Sequence, residues 1–267
     1  MAQTSYERLI AVLRGYGSGL VALSGGADST LLARAAQEAL GARALAVTGA
    51  SASIPSREVE AARGVAAAIG IAHRVIDTHE MEDPSYRANP SNRCYFCKKE
   101  LFGRLTELAR AEGYAVVFSG DNVDDLADYR PGRQAALEQR VAFPLQEAGL
   151  TKPEIRALSR ELGLPTWDKP ASPCLSSRVA YGERIEPEWL ARIDEAEVFL
   201  RELGFTTVRV RHHRDVARLE VPAAELAKLL EVRELVTARL RALGWAFVAV
   251  DLSGFRSGSL NRVLPVV

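Results

Sequence analysis

Cysteine is scarce in this chain: three residues in 267, at positions 94, 97 and 174. A disulfide with one cysteine left over is one reading of so few, and the cytoplasmic setting expected of this chain argues against it, because stable disulfides are rare there. Long apolar runs are also missing. None approaches the roughly 18 residues a membrane-spanning helix needs. Charge of one sign is not in excess, with 34 Lys and Arg against 34 Asp and Glu. That balance removes the global basic field expected of a nucleic-acid binder. The opening MAQTSYERLIAVLRGYGSG is amphipathic, without the apolar core of a secretory leader. The expectation is a cytoplasmic protein that does not enter a membrane. Two phosphate-binding fingerprints are absent as well: there is no GK[ST] and no GxGxxG. Internal repeats and low-complexity segments are not seen.

What is present is a strand–helix rhythm over the first 170 residues. Helical spacing marks 5–16, 28–40, 56–69, 97–112 and 152–162, and several of these stretches stop at a glycine. Short apolar runs between them predict strands at 19–23, 43–48, 73–77 and 115–119. Alternating strands and helices predict a parallel sheet covered on both faces. The pattern changes beyond Pro170, Pro173 and the Ser-rich CLSSR. There the spacing predicts a helix over 187–203, strands at 206–212 and 215–221, a helix over 223–243 and a strand at 246–252. The expected architecture is an α/β domain at 1–170 followed by a smaller α+β domain at 171–267.

The stretch LVALSGGADSTL places a glycine pair between a strand and a helix. Gly25 and Gly26 let backbone N–H groups reach an anion without a Cβ in the way. The positive end of the following helix points to the same place. Ser24 and Ser29 add hydroxyls. Asp28 beside a phosphate implies a bridging cation, and Mg²⁺ is the natural one. A second cluster, SGDNVDD, follows the fourth strand, so it belongs at the same carboxyl edge of the sheet. Asp121, Asn122, Asp124 and Asp125 there could hold Mg²⁺ or orient a nucleotide; a solvated acidic turn is the other reading.

Cys94 and Cys97 form a CxxC in NRCYFCKKELF, and Cys174 lies in KPASPCLSSR. A structural zinc site takes four protein ligands, and no histidine lies within a few residues of a cysteine. Three thiolates suit an iron–sulfur cubane with one iron open to a non-protein ligand. Two buried small hydrophobes is the plain alternative for the pair.

SGGADS resembles the pyrophosphate loop of the PP-loop ATP pyrophosphatases. Together with NRCYFCKKELF, SGDNVDDLADYRPGRQAA, FPLQEAGLTKPEIR, KPASPCLSSRVAYGERI, VRVRHHRDVARLEV and DLSGFRSGSLN, it is similar to the LarE family, from about residue 5 to the C-terminus. The resemblance implies an ATP-dependent sulfur transferase in the biosynthesis of the nickel-pincer nucleotide cofactor of lactate racemase. Its substrate would be pyridinium-3,5-biscarboxylic acid mononucleotide. Each carboxylate is adenylylated and then converted to a thiocarboxylate. The resemblance further implies an ATP site at Ser24, Gly25, Gly26, Asp28, Ser29, Thr48, Asp121, Asn122 and Asp125. Catalytic roles fall to Asp28, Cys94, Cys97 and Cys174. Sulfur comes from Cys174 itself in some members and through a 4Fe–4S cluster on three cysteines, supplied by a sulfide donor, in others. Cysteines at all three positions and nowhere else favour the cluster form. Arg178, Arg209 and Arg211 would bind the substrate phosphate and Glu197 and Glu220 a divalent metal; the aromatic face of Tyr95 suits a pyridinium cation, with a core tyrosine as the other reading. Trp167, Trp189 and Trp245 read as packing. A homo-oligomer is implied; nucleic acid is not expected. Asp121 stands where the family pattern has threonine, and Arg214 where it has a small residue. The rival readings are a cluster-dependent tRNA thiolase, an ammonia-dependent amide synthase of the NAD synthetase kind, and a nucleotide-binding module without catalysis.

Overall fold

The computed structural model describes residues 4–126, 131–170 and 172–256. The parts of the quoted motifs at 127–130 and 257–261 lie outside them. The chain divides into two compact units, Met1–Asp83 with Asn92–Ser172, and Pro84–Ser91 with Pro173–Val267.

The first unit is α/β. Helix α1 (Ser5–Tyr16) opens with a reciprocal capping box between Thr4 and Glu7. Strand β1 (Gly19–Ala22), helix α2 (Ala27–Leu40), strand β2 (Ala44–Ala50), helix α3 (Ser56–Ile69) and strand β3 (Ala72–Asp77) follow. The chain then passes through α4 (Pro84–Arg87), which belongs to the second unit, and returns as α5 (Arg93–Glu112), β4 (Val117–Phe118), α6 (Pro131–Glu138), α7 (Pro144–Glu147) and α8 (Lys152–Glu161). The four strands are parallel in the order β3-β2-β1-β4.

Strand periodicity divides the core in two. Val21, Leu23, Ala44 and Ala46 pack with residues of α1, α2, α3 and α8 on one face. Their neighbours Leu20, Leu45 and Val47 pack with Phe102, Leu105 and Ala136 of α5 and α6 on the other. Successive side chains of a strand alternate, so a sheet covered on both faces needs apolar residues at every position. This is why GLVAL and ALAV read as continuous apolar runs. Strand β4 is shorter than the expected 115–119, because Ala115 N–H is taken by the Ser18 hydroxyl instead of a strand partner. Helix α5 begins four residues earlier than expected, so both CxxC cysteines are helical.

In the second unit, the 3₁₀ turn Leu175–Arg178 precedes α9 (Pro187–Glu202). Then come the antiparallel pair β5 (Arg209–His213) and β6 (Val216–Glu220), helices α10 (Leu226–Glu231) and α11 (Arg233–Ala242), and β7 (Phe247–Val250), parallel to β6. The single helix expected over 223–243 is broken at Val232, where the Arg233 guanidinium takes the freed Leu230 carbonyl. Segment 84–91 carries no apolar periodicity, so its place in this unit could not be read from the sequence. Tyr86 and Asn89 are fully buried within it.

Candidate active site

Strand order reverses direction about β1, with β2 on one side and β4 on the other. The crevice beyond the carboxyl ends of two such strands is where open α/β sheets bind ligands. The loop after β1 carries Ser24 to Ser29. Gly25 has φ of +71°, a conformation that costs an L-residue strain, and its Cα faces the backbone of Ala62 in α3. Gly26 is the N-cap of α2 and offers no side-chain cap, so the first N–H groups of this helix are left for an anion. Ser29 closes the loop: its hydroxyl donates to the Gly26 carbonyl at 3.2 Å and meets the Ser24 hydroxyl at 3.0 Å. Asp28 stands in the first turn. One carboxylate oxygen takes Lys152 Nζ at 2.5 Å; the other is buried with no hydrogen-bond partner among the described residues. A hard oxygen left open beside a helix N-terminus fits Mg²⁺, which keeps few protein ligands and shares phosphate oxygens.

The loop after β4 lies against this one. A Cβ on Gly120 would come within 3.0 Å of Ser29 N, so only glycine allows the approach. Asn122 and Asp125, both buried, are used inside the loop: the Asp125 carboxylate accepts from Asn122 N–H at 2.8 Å, and the Asn122 amide oxygen from Asp124 N–H at 2.9 Å. Asp121 accepts from the Ser119 hydroxyl, and Asp124 caps α8 by accepting from Lys152 N–H at 2.7 Å. Thr48 is buried on β2, where its hydroxyl donates to the Leu23 carbonyl at 2.8 Å and accepts from His73 Nε2. The structure thus shows Thr48, Asn122 and Asp125 shaping the ends of the loops.

Cys94 and Cys97 lie in the first turns of α5, three apart and so on one helix face. Cys94 is exposed and Cys97 half-buried. Tyr95 sits between them in sequence; its hydroxyl donates to Glu138 at 2.9 Å, which with the charge of that carboxylate raises its pKa. Cys174, half-buried, belongs to the second unit. Among the described residues, no three His, Cys, Asp or Glu side chains come together as a metal site would require. A pair stands on one unit and a single cysteine on the other.

Within the second unit, Arg178 is fully buried. Its Nε and Nη2 fork onto the Glu197 carboxylate at 2.8 and 2.9 Å, and Nη1 donates to the carbonyls of Pro173 and Cys174 at 2.7 and 2.9 Å. Arg211 donates to the Ser177 carbonyl and to Glu220, both at distances below 3 Å. Arg209 lies over the Phe255 ring and donates to the Val208 carbonyl. Glu197 and Glu220, expected to hold a divalent metal, are both buried, Glu197 paired with Arg178 and Glu220 with Arg211 and Arg218. Arg178, expected on a phosphate, is committed to Glu197 and to the backbone around Cys174. Burial alone would raise the Glu197 pKa, but the Arg178 guanidinium holds it below the usual carboxylate range. Trp189 and Trp245 flank His212 as packing, while Trp167 is partly exposed beneath Arg160. Arg214 is exposed near Glu183.

The family model described as asparagine synthase matches residues 18–233. An uncharacterized protein of Synechocystis sp. is 47% identical over 267 residues, covering 99% of each chain. The pyridinium-3,5-bisthiocarboxylic acid mononucleotide synthase of Lactiplantibacillus plantarum is 38% identical over 262 residues, covering 98% of this chain and 95% of that one. The chain belongs to the LarE family of PP-loop enzymes. An uncharacterized protein of Methanocaldococcus jannaschii is 32% identical over 169 residues, 63% of this chain.

Around the loop after β1 the structure adds residues that sequence reasoning missed. Lys152 pairs with Asp28. Lys169 donates to the Gly25 carbonyl at 2.9 Å and to Glu58 at 2.8 Å, while Glu58 also accepts from Ser172. Two cations thus border the phosphate loop. A signal for Lys152 existed: a lysine at the start of a helix opposes the helix dipole and needs an acidic partner. Nothing local pointed to Lys169, which reaches Gly25 across 144 positions.

Proposed function

We propose that this LarE-family enzyme is an ATP-dependent sulfur transferase acting on pyridinium-3,5-biscarboxylic acid mononucleotide. The observation that carries the adenylylating half is the uncapped N-terminus of α2, bordered by Lys152 and Lys169, with one Asp28 oxygen left unpaired. That arrangement receives a metal–triphosphate. Bound Mg²⁺ would neutralise phosphate charge, with Asp28 as its protein ligand. The N–H groups of the loop and both lysines hold the β and γ phosphates as a substrate carboxylate oxygen attacks the α phosphorus. Pyrophosphate leaves, and the carboxylate becomes an acyl-adenylate. Support for this substrate is the name of the relative in Lactiplantibacillus plantarum and its similarity over 98% of this chain.

The thiolate of Cys174 is the sulfur nucleophile of the second half. It attacks the acyl carbon and AMP leaves, forming a thioester. Loss of the Cys174 Cα proton to a base then breaks the Cβ–S bond, releasing thiocarboxylate and leaving dehydroalanine. Arg209 and Arg211 bind the substrate phosphate in the second unit. The cluster form of the reaction instead requires Cys94, Cys97 and Cys174 to converge on iron fed by a sulfide donor. The protein works in the cytoplasm as a homo-oligomer.

The test is to supply ATP, Mg²⁺ and the biscarboxylate nucleotide to anaerobically purified protein, and to follow pyrophosphate and the product's mass. Pyrophosphate with a thiocarboxylate product is expected, and Cys174→Ala should keep the first and lose the second. A chain lighter by one H₂S after turnover marks sacrifice of Cys174, whereas about four iron and four sulfide per chain with repeated turnover mark the cluster form. Pyrophosphate release driven only by tRNA, in a salt-sensitive complex, would replace this reading with that of a tRNA thiolase.

A further inference from the structure

The proposed donor loop is held by far more buried polar structure than a surface turn needs. Cys174 is the N-cap of the 3₁₀ turn Leu175–Arg178 and is half-buried, while Leu175, Ser176 and Arg178 behind it are buried. The Cys174 carbonyl accepts three hydrogen bonds, from Ser177 N–H at 3.0 Å, the Ser177 hydroxyl at 2.7 Å and Arg178 Nη1 at 2.9 Å. On the far side, the Tyr86 and Ser176 hydroxyls meet at 2.7 Å, both residues fully buried. Tyr86 comes from the segment 84–91 that the second unit takes from the middle of the other unit's sequence.

We infer that the buried Arg178–Glu197 fork, braced by Tyr86, is a positioning device that presents Cys174 in one backbone conformation. A buried guanidinium needs its counter-ion and filled donors. Glu197 takes two of those donors in a rigid fork, and the Pro173 and Cys174 carbonyls take the third nitrogen. The ionic pair therefore fixes the peptide units on both sides of the Cys174 Cα. Glu197 in turn is set on β5, accepting from Val210 N–H at 3.1 Å. The role assigned to the fork rests on Cys174 as the sulfur-bearing residue, but the fixing of its backbone does not.

The test uses the full chain with Cys94 and Cys97 replaced by serine, leaving Cys174 as the only thiol. Iodoacetamide alkylation at one fixed pH, followed by mass, reads how tightly Cys174 is held. Arg178→Lys, which cannot fork, and Glu197→Gln, which loses the charge, should each speed alkylation about tenfold as the thiol gains exposure. Tyr86→Phe should do so by about threefold. With all three cysteines present, the same variants should form about tenfold less thiocarboxylate per pyrophosphate released. Leu240→Ala, in α11 and outside the contacts described for the loop, serves as a variant of lowered stability. Alkylation rates and product ratios in Arg178→Lys and Glu197→Gln that match Leu240→Ala or the parent would overturn the inference. If Cys174→Ala still makes thiocarboxylate, the proposed donor role fails, and the alkylation arm still decides whether the fork holds the loop.

Discussion

The phosphate loop and the Cys174 loop are both turns that carry polar groups, but they are built in opposite ways. The first is closed by neighbours: Ser24 and Ser29 meet across 5 positions. Its backbone N–H groups and helix dipole are local, and only its bordering cations come from afar, Lys152 reaching Asp28 across 124 positions and Lys169 reaching Gly25 across 144. The second is closed by distant residues, with Arg178 meeting Glu197 across 19 positions, Ser177 meeting Arg211 across 34 and Ser176 meeting Tyr86 across 90. A loop made of backbone can stay polar and open. A loop held by buried ions is rigid only while each charge keeps its partner.

Breaking the buried side should cost most in stability. Glu197→Ala leaves the Arg178 guanidinium uncompensated and should lower unfolding stability by about 3–5 kcal/mol; denaturant titration checks this. Asp28→Ala, on the open side, should leave the melting temperature nearly unchanged, because its one ion pair is partly solvated. It should instead reduce pyrophosphate release about a hundredfold through loss of the metal ligand. Lys152→Ala should raise the KM for ATP about tenfold, with a smaller effect on kcat, by removing a cation that binds ground and transition states alike.

The smallest effect sharpens the contrast by pH. His212 is buried between Trp189 and Trp245, its Nδ1 accepts the Trp245 indole N–H at 3.1 Å, and burial followed by Arg192 pushes its pKa down to about 4. Between about pH 6.5 and 4 the unfolded chain takes up a proton that the folded chain refuses. Stability should therefore fall as pH drops through that window, with a slope of at most about 1.4 kcal/mol per pH unit, and be flat above it. His212→Gln should reduce that slope, leaving the share of His73 and His213, whose pKa values burial also lowers. Glu197, whose carboxyl is depressed by its guanidinium, keeps its contribution above about pH 4.3 and loses it at lower pH as it protonates.

Much of the first unit was legible. Its apolar runs, glycine stops and SGGADS loop follow from local chemistry, and α1 and α3 span the expected residues. Legibility failed where a residue's role depended on what it meets. Asn122 and Asp125 were read as nucleotide contacts from their type, and the bonds their side chains make to the backbone of their own loop could not be read that way. Glu197 and Glu220 were read as metal ligands from the family resemblance, and the arginine that each faces in the interior could not be read from the sequence. The segment 84–91 was assigned by its place in the chain to the unit it does not join.

The sequence by itself determined the parallel sheet, the glycine turn after its first strand and the residue types that mark the family, because strand alternation, glycine freedom and helix dipoles act over a few neighbouring residues. Only the tertiary structure decided that Lys152 and Lys169 border that turn, that Arg178 joins Glu197 to the Cys174 carbonyl, and that Tyr86 meets Ser176. A buried charge or hydroxyl is defined by its partner, and that partner is chosen by the folding of distant segments.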